Sequence, residues 1–185
     1  MEPMISVAGA AERGKVVDSL VAAFVDDPAL RYLFPADDAY PGQAAAFFGY
    51  LYDIRVGAGS IWVIDGGSAV AIWETPGNGE SSDQALADVL PVDALARVRK
   101  YNRAVHKIMP PGPYWYLGVL GTHPDSAGKR WGHALMAQGL GRAAEDGLPS
   151  VLETTKPGNV EMYRRAGWEV VASVDGPVPT WVMRQ

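Results

Sequence analysis

The sequence predicts a mixed fold of the α/β or α+β class, in which helices and strands alternate along the chain. Three features predict it: apolar residues at helical spacing, short runs of branched and aromatic residues typical of strands, and glycine or proline at the junctions. The 185 residues are enough to bury one full hydrophobic core but few for two. We therefore expect a single domain over residues 1–185.

The first half of the chain is predicted to hold a strand, two helices and a hairpin. In order, these are a strand in ISVAGA, a helix in ERGKVVDSLVAAFVDD, a single turn or lid in PALRYLFP, a helix in PGQAAAFFGYLYDIRVGAG, and two strands in SIWVIDGGSAVAIWETP. Pro28 ends the first helix because the residue before a proline disfavours the helical conformation. Asp65-Gly66-Gly67 predicts the hairpin turn, since glycine reaches positive φ freely.

The second half is predicted to contain a loop, several helices and four further strands. After a loop over 76–82 come one or two helices over 83–109 that break at Pro91, a strong strand in YWYLGVLGTH, a helix in KRWGHALMAQGLGRAAEDG, a strand in SVLETT, a helix in GNVEMYRRAGW and a final strand pair. Gly118 and Gly121 interrupt the strong strand. Glycine at such a position often marks a bulge or a close approach of another backbone segment.

Composition and charge exclude several classes of function. The formal net charge is −5 and no basic stretch is long enough to follow a phosphate backbone, which argues against nucleic-acid binding and favours a small or cationic partner. The absence of cysteine excludes disulfides, zinc–thiolate sites and cysteine nucleophiles, and we expect no metal site. No run of about 18 apolar residues predicts a membrane span. We expect a soluble, cytoplasmic protein that is a monomer or a homodimer.

Residues 123–140, HPDSAGKRWGHALMAQGL, join the strong strand to the next helix, and their pattern is typical of an anion site. The first N–H groups of a helix have no acceptor within the helix, and the peptide dipoles make that end electropositive. Gly128 and Gly132, with Lys129 and Arg130 between them, would let a phosphate or pyrophosphate approach the backbone. An ordinary glycine-containing loop is the alternative.

Two segments together resemble the acetyl-CoA core of the GNAT superfamily of N-acetyltransferases. They are LGVLGTHPDSAGKRWGHAL and LETTKPGNVEMYRRAGWEV. Within the superfamily, the chain is similar to the puromycin N-acetyltransferase group through LVAAFVDDPALRY, IWVIDGGSAVAIWETP and the segments near the end of the chain. The resemblance spans nearly the whole chain and is weakest over 76–110. It implies the GNAT fold, a mixed central β-sheet that is splayed at the acetyl-CoA site and flanked by helices.

The phosphate-binding loop of that family has the pattern Q/R-x-x-G-x-G/A, and this chain departs from it. Ala127 stands at the Gln or Arg position, Arg130 replaces the first glycine, and only Gly132 is in register. We expect Arg130 to begin the helix with an ordinary φ of about −60°, which strains no side chain. Its Cβ and stem would crowd the pyrophosphate unless they turn outward, in which case Arg130 could pair with a CoA phosphate. The resemblance implies an acetyl-CoA site made of Leu120, Gly121, Thr122, Gly128, Lys129, Arg130, Trp131, Gly132, His133, Asn159 and Tyr163.

The resemblance further implies transfer of an acetyl group from CoA to an amine. Such a site must deprotonate an ammonium group, stabilise an oxyanion and protonate the departing thiolate. Backbone N–H groups beside an irregularity at Leu120-Gly121-Thr122 would stabilise the oxyanion, although Gly121 could instead accommodate a neighbouring aromatic ring. Tyr163 matches the acid position of the family, and Asn159 lies one helical turn before it, where relatives contact the pantetheine arm.

Three residues are candidates for the base. Glu153 matches a carboxylate of the puromycin-type relatives and would act directly or through water. Glu74 is its rival at the end of a hairpin strand, and either carboxylate could be structural instead. His106 ranks third, since a lone histidine on a helix is usually a surface or packing residue.

The acceptor site is expected between the amino-terminal helices and the hairpin. Aromatic walls with acidic groups suit a cationic amine, and the candidates are Phe24, Asp27, Tyr32, Phe34, Trp73 and Glu74. Each ring could instead belong to the core. The acceptor stays open between puromycin or another amine antibiotic, an amino acid derivative and a protein amino group.

The sequence therefore predicts N-acetylation of a small primary amine by acetyl-CoA, in self-protection or detoxification. One alternative is a protein acetyltransferase that acts on lysine or an amino terminus. The other is a non-catalytic module that binds acyl-CoA, which the departures at Ala127 and Arg130 favour.

Overall fold

The computed structural model describes residues 3–77 and 81–185, in which helices and strands alternate as predicted. The strands are β1 (Ile5–Val7), β2 (Ile61–Ile64), β3 (Ala69–Glu74), β4 (Trp115–Thr122), β5 (Ser150–Thr154), β6 (Glu169–Val174) and β7 (Thr180–Arg184). The helices are α1 (Arg13–Ala23), α2 (Pro28–Leu33), α3 (Tyr40–Arg55), α4 (Asp83–Val89), α5 (Val92–His106), α6 (Trp131–Glu145) and α7 (Pro157–Arg165). The predicted turn or lid is the short helix α2, and the predicted loop over 76–82 lies partly outside the described residues.

A seven-stranded sheet organises the fold, in the order β1-β2-β3-β4-β5-β7-β6. Neighbouring strands are antiparallel except β4 and β5, which are parallel. This parallel pairing is short, since Trp115 pairs with Ser150 and Tyr116 with Val151, and no later pair joins the two strands within the described chain. Beyond that point, as far as Thr122, β4 pairs with β3 and with no other strand in the described chain. The central sheet is therefore splayed, as the resemblance implied.

Different helices cover the two faces of the sheet. Along β3, Val70 and Ile72 point to a core shared with α1–α5, while Ala71 and Trp73 point to a core shared with α6 and α7. Side chains alternate between the faces of a strand, so this division follows directly from the sequence order. Because both faces are covered, β3 is buried throughout most of its length. Among the described residues, no helix is both long and apolar enough to cross a membrane.

Gly118 forms a bulge in β4. Ile72 pairs with Val119, but the next residue of β3, Trp73, pairs with Leu117, so Gly118 is an extra residue without an opposite partner. The bulge changes which residues of β4 share a face: Leu117 belongs to the core under α6 and α7, and Val119 to the core under α1–α5. The prediction of a bulge at one of the two strand glycines is confirmed here.

The second strand glycine, Gly121, has a different role. The predicted irregularity at residues 120–122 is wrong, since these residues pair regularly with β3. A Cβ on Gly121 would lie 2.7 Å from Leu20 Cδ2 and 3.0 Å from Phe24 Cε2. Gly121 therefore lets α1 pack closely on the sheet, and the alternative that it accommodates a neighbouring aromatic ring is the one that fits the structure.

The packing of α6 on the sheet generates a testable prediction about stability. A Cβ on Gly139 would lie 2.1 Å from Cε2 of the fully buried Trp73, so Gly139→Ala should destabilise the fold by about 2–3 kcal/mol. Gly141→Ala is the matched control on the same helix, because no atom lies within 4 Å of its Cβ position. It should stabilise the fold by about 0.5–1 kcal/mol. Urea unfolding measures both changes, and equal effects would contradict this packing.

Candidate active site

The splayed edge of β4 opens into a cavity of about 480 Å³ that lies between the sheet and helices α1–α5. Residues of β4, β5 and α7 line one side, and residues of α1–α5 line the other. The predicted site residues that line this cavity are Phe24, Asp27, Glu74, Leu120, Gly121, Thr122, Glu153, Asn159 and Tyr163. The fold thus brings together residues that the sequence places far apart, including the predicted acid and both predicted carboxylate bases.

Glu153 lies on β5, where that strand has separated from β4. The hydroxyl of Tyr116, on β4, donates a hydrogen bond to Glu153 Oε2. Burial raises the pKa of Glu153 to about 7, and the hydrogen bond from Tyr116 partly offsets the rise. A carboxyl group whose pKa lies near neutrality can accept a proton and release it again at neutral pH.

Tyr163 lies near the end of α7 and is buried. Its ring packs against Trp168, with the ring centroids 6.1 Å apart and the planes steeply inclined. Burial, together with the negative charges of Glu153 and Asp27, raises the pKa of Tyr163 to about 12. The hydroxyl therefore stays protonated at neutral pH and can act as a proton donor to a thiolate.

The rival base, Glu74, is already engaged. It forms an ion pair with Arg55, whose side chain is only 5% exposed. A carboxylate next to a guanidinium is stabilised in its charged form and is a weak proton acceptor. The third candidate, His106, is exposed on α5 and borders a second cavity. The structure favours Glu153 over both alternatives.

The second cavity, of about 510 Å³, lies between the ends of α5 and β4 and the segment after β3. It shares five lining residues with the first cavity, which are Glu74, Ser81, Asn102, Tyr116 and Glu153. Glu153 and its hydrogen-bond partner therefore lie where the two cavities meet.

The loop before α6 has a different backbone from the one predicted. Arg130 has φ 60° and ψ 22°, in the left-handed region, so the expected φ of about −60° is wrong. A glycine, as in the family pattern, would adopt this conformation without strain. A Cβ on Gly132 would lie 3.9 Å from Leu120 Cδ2 and 4.0 Å from Thr122 Oγ1, so the first turn of α6 stands beside the end of β4.

The predicted phosphate-binding residues lie outside the lining of the first cavity, next to the end of β4. Arg130 is exposed, so of the two alternatives for its stem the outward one fits the structure. The ammonium group of Lys129 lies 4.4 Å from the centre of the Trp131 ring. The predicted phosphate-binding residues that do not line the first cavity are Gly128, Lys129, Arg130, Trp131, Gly132 and His133.

Three of the predicted aromatic walls lie elsewhere. Trp73 is fully buried on the opposite face of the sheet, against α6, so the prediction that it binds substrate is wrong. Phe34 is fully buried in the core under α1–α5, and Tyr32 packs against the same core. Neither lines the cavity, because their rings are used for packing. Of the four aromatic residues predicted as walls of the acceptor site, Phe24 is the one that lines the cavity.

Sequence reasoning missed Tyr116, Arg55 and Tyr101, which also line the cavity. Strict alternation along β4 would have placed Tyr116 on the face of Leu120, and only the bulge at Gly118 turns it towards Glu153. Arg55 ends an otherwise apolar and aromatic helix, and its burial cannot be read from the sequence. Tyr101 lies in the segment where the family resemblance is weakest.

Comparison with known proteins agrees with this geometry. Residues 94–168 match the acetyltransferase (GNAT) family, over a segment that runs from α5 through β4, α6 and β5 to the end of α7. The matched segment includes Tyr116, Glu153 and Tyr163. The splayed sheet with its flanking helices is the GNAT fold.

Solved structures of acetyltransferases are similar over essentially the whole chain. A protein described as histone acetyltransferase HPA2 and related acetyltransferase, from Corynebacterium glutamicum, is 25% identical with a TM-score of 0.73, covering 100% of this chain and 96% of that one. Arylalkylamine N-acetyltransferase 2 from Aedes aegypti is 12% identical with a TM-score of 0.74, covering 100% and 99%. A polyamine N-acetyltransferase from Drosophila melanogaster is 14% identical with a TM-score of 0.63, covering 99% and 98%. The two insect enzymes show a likeness of fold alone.

The backbone at Arg130 generates the second prediction. A side chain in the left-handed region costs about 1 kcal/mol, so Arg130→Gly should raise the free energy of unfolding by about that amount. Arg130→Ala is the control, because it removes the charge and the stem but keeps the Cβ, and it should change stability by less than about 0.5 kcal/mol. Thermal and urea unfolding compare the variants. A gain of the same size in both would show that the charge, and not the backbone, is responsible.

Proposed function

We propose, from the GNAT fold and the family match of residues 94–168, that the chain transfers the acetyl group of acetyl-CoA to the primary amine of a small molecule. One observation supports this most: Glu153 and Tyr163 line the same cavity as the separated edge of β4. Acetyl transfer to an amine needs a base, an acid and open main-chain donors. All three meet in this cavity.

The residues present fit acetyl-CoA, which would supply the acetyl group as a reactive thioester. Past Tyr116, the main-chain groups of β4 that face β5 have no strand partner in the described chain and can hydrogen-bond to the pantetheine amides. Gly128, with φ 81°, and the first turn of α6 would present N–H groups to the diphosphate. Lys129 and Arg130 add positive charge beside them.

Two side chains of this chain would move protons. Glu153 removes a proton from the bound ammonium group, which leaves the amine nitrogen with a free electron pair. Tyr163 donates its hydroxyl proton to the thiolate that departs. Since Gly121 pairs regularly with β3, we assign the oxyanion donor to the main chain at the bulge, where Gly118 has no opposite residue on β3.

The acceptor is proposed to be a small amine. Two of the similar structures are acetyltransferases of arylalkylamines and of polyamines, which supports this class. A puromycin-type antibiotic amine, acetylated in self-protection, is the narrower form of the proposal, and only the sequence resemblance supports it. Release of free thiol from acetyl-CoA, measured with and without candidate amines, tests the activity. CoA binding without amine-dependent release would favour the non-catalytic alternative instead.

Replacement of the proposed acid tests the role of Tyr163. Tyr163→Phe keeps the ring contact with Trp168 but removes the hydroxyl, so kcat should fall by about 10²–10³-fold while the KM for acetyl-CoA changes little. Steady-state kinetics with acetyl-CoA as the varied substrate measures both constants. Unchanged kcat would remove Tyr163 from the mechanism.

Replacement of the proposed base tests the role of Glu153 through pH dependence. The wild-type rate should rise with pH through the Glu153 pKa of about 7, since the base must be deprotonated. Glu153→Gln should lower the rate of acetyl transfer by about 10²–10⁴-fold. The loss should be greatest at low pH, where nearly all of the free amine is protonated. A uniform loss across the pH range would indicate a structural role.

Stability provides the control for this variant. Because burial raises the pKa of Glu153 above its unfolded value, the protonated form stabilises the fold, and that stabilisation is lost as pH rises towards 7. Glu153→Gln should therefore raise Tm relative to wild type at pH 8 and have little effect at pH 5. A lower Tm at pH 8 would show that the substitution damages the fold.

A further inference from the structure

The charges that line the two cavities are distributed unevenly. Among the described residues, the carboxylates that line the first cavity are Asp27, Glu74, Asp83 and Glu153. The second cavity is lined by two of these, and the described part of the chain adds no other carboxylate to it. The partners of these four groups determine how many positive charges an acceptor can bring into the cavity.

Two of the four carboxylates, Asp27 and Asp83, accept hydrogen bonds from groups near them in the fold. Asp27 Oδ1 accepts hydrogen bonds from the N–H groups of Ala29, at 2.9 Å, and Leu30, at 3.1 Å, and so caps α2. Asp83, at the exposed rim, accepts a hydrogen bond from Arg99 Nε at 3.0 Å and a second one from the same guanidinium.

The other two carboxylates, Glu74 and Glu153, differ in the charge of their partners. Glu74 is neutralised by the buried guanidinium of Arg55. Glu153 instead accepts a hydrogen bond from the neutral hydroxyl of Tyr116. Of the four carboxylates, Glu153 is therefore the one that has neither a cationic partner nor a helix to cap, and it can pair with one ammonium group.

Apart from Asp27, Tyr50 and Arg55, the wall under α1–α3 is apolar. Its apolar part is formed by Phe24, Leu30, Leu33, Phe47, Phe48, Leu51 and Ile54. A second ammonium group buried against this wall would lose its hydration without gaining an ion pair. An uncharged hydrocarbon body would instead gain from burial there.

Resting on the proposed function, we infer that the acceptor is a monoamine with an aliphatic or aromatic body, and that Arg55 excludes diamines and polyamines by occupying the carboxylate of Glu74. Arg55 is then a residue that determines specificity and takes no part in the acetyl transfer. The preference is opposite to the one that the name of the Drosophila polyamine enzyme implies for that protein.

A matched pair of acceptors tests the inference. Hexylamine and 1,5-diaminopentane have nearly the same length and differ in whether the far end is a methyl or an ammonium group. With acetyl-CoA, the wild-type kcat/KM should be at least about 100-fold higher for hexylamine, because an unpaired buried charge is costly. Phenethylamine should behave like hexylamine.

Variants at the ion pair test the role of Arg55. Arg55→Met frees Glu74 to pair with the second ammonium group, so the preference for hexylamine should fall by at least about tenfold, through a rise in kcat/KM for the diamine. The double variant Arg55→Met with Glu74→Gln removes both charges and should restore the preference. Arg13→Met is the matched control, since Arg13 pairs with the exposed Asp53 away from both cavities, and the preference should stay within about twofold.

A reciprocal variant keeps the test decisive if Arg55→Met does not fold. Glu74→Gln leaves Arg55 free, so 6-aminohexanoate, whose far end is a carboxylate, should gain at least about tenfold in kcat/KM relative to hexylamine. No gain in a folded Glu74→Gln protein would overturn the inference.

Calorimetric titration of the same amines separates this inference from the proposed function. Selective binding of hexylamine without any acetyl transfer would support the inference and overturn the proposed function. Transfer to the diamine as efficient as transfer to hexylamine would support the function and overturn the inference. A preference of the wild type for hexanoyl-CoA over acetyl-CoA would also overturn it, since the apolar wall would then hold an acyl chain.

Discussion

The site depends on the separation of β4 from β5 after two residue pairs. A strand inside a sheet normally satisfies its N–H and C=O groups on both edges, and a buried main-chain group without a partner is costly. Here β3 holds one edge of β4 over its whole length while the other edge faces a cavity. The sheet thus keeps the strand in place and presents its polar groups to whatever enters the cleft. Glu153 and Tyr163 reach the same space because they belong to β5 and α7, on the far side of the separation.

Identical chemical groups acquire different roles in this cavity through their partners. Glu153 and Glu74 are both carboxylates, but Glu153 faces the neutral hydroxyl of Tyr116 and Glu74 faces the guanidinium of Arg55. Burial therefore raises the pKa of Glu153, whereas Glu74 is bound in an ion pair with Arg55. Glu153 can therefore exchange a proton near neutral pH, whereas Glu74 is engaged with the positive charge of Arg55.

The sequence predicted the elements of the fold well because each has a local signal. Pro28, Pro91 and the Asp65-Gly66-Gly67 turn interrupt the chain where the structure does, and the segments of the family resemblance indicated the splayed sheet. Residue roles that depend on long-range packing were less predictable. The sequence predicts that Trp73 forms an aromatic wall of the acceptor site, but α6 covers it. The ring packs against Gly139, which is distant in the chain, and no residue near Trp73 in the sequence indicates this contact.

The candidate site was predictable in part for the same reason. Glu153 and Tyr163 were found because they lie inside the family segments. Tyr116 was missed because a single extra residue at Gly118 reverses the face that it occupies, and sequence periodicity does not reveal such an insertion. The left-handed backbone at Arg130 was missed because a non-glycine residue rarely adopts it.

The position of Glu153 at the junction of the two cavities has a consequence for turnover. A group that borders both spaces can be reached by solvent from one while the other is filled. In the proposed mechanism, the proton that Glu153 accepts would therefore have a separate exit through the second cavity, past His106 and Tyr114, and the base could be reset before either product leaves. Such a separate proton exit would leave product departure, and not recovery of the base, to limit the cycle.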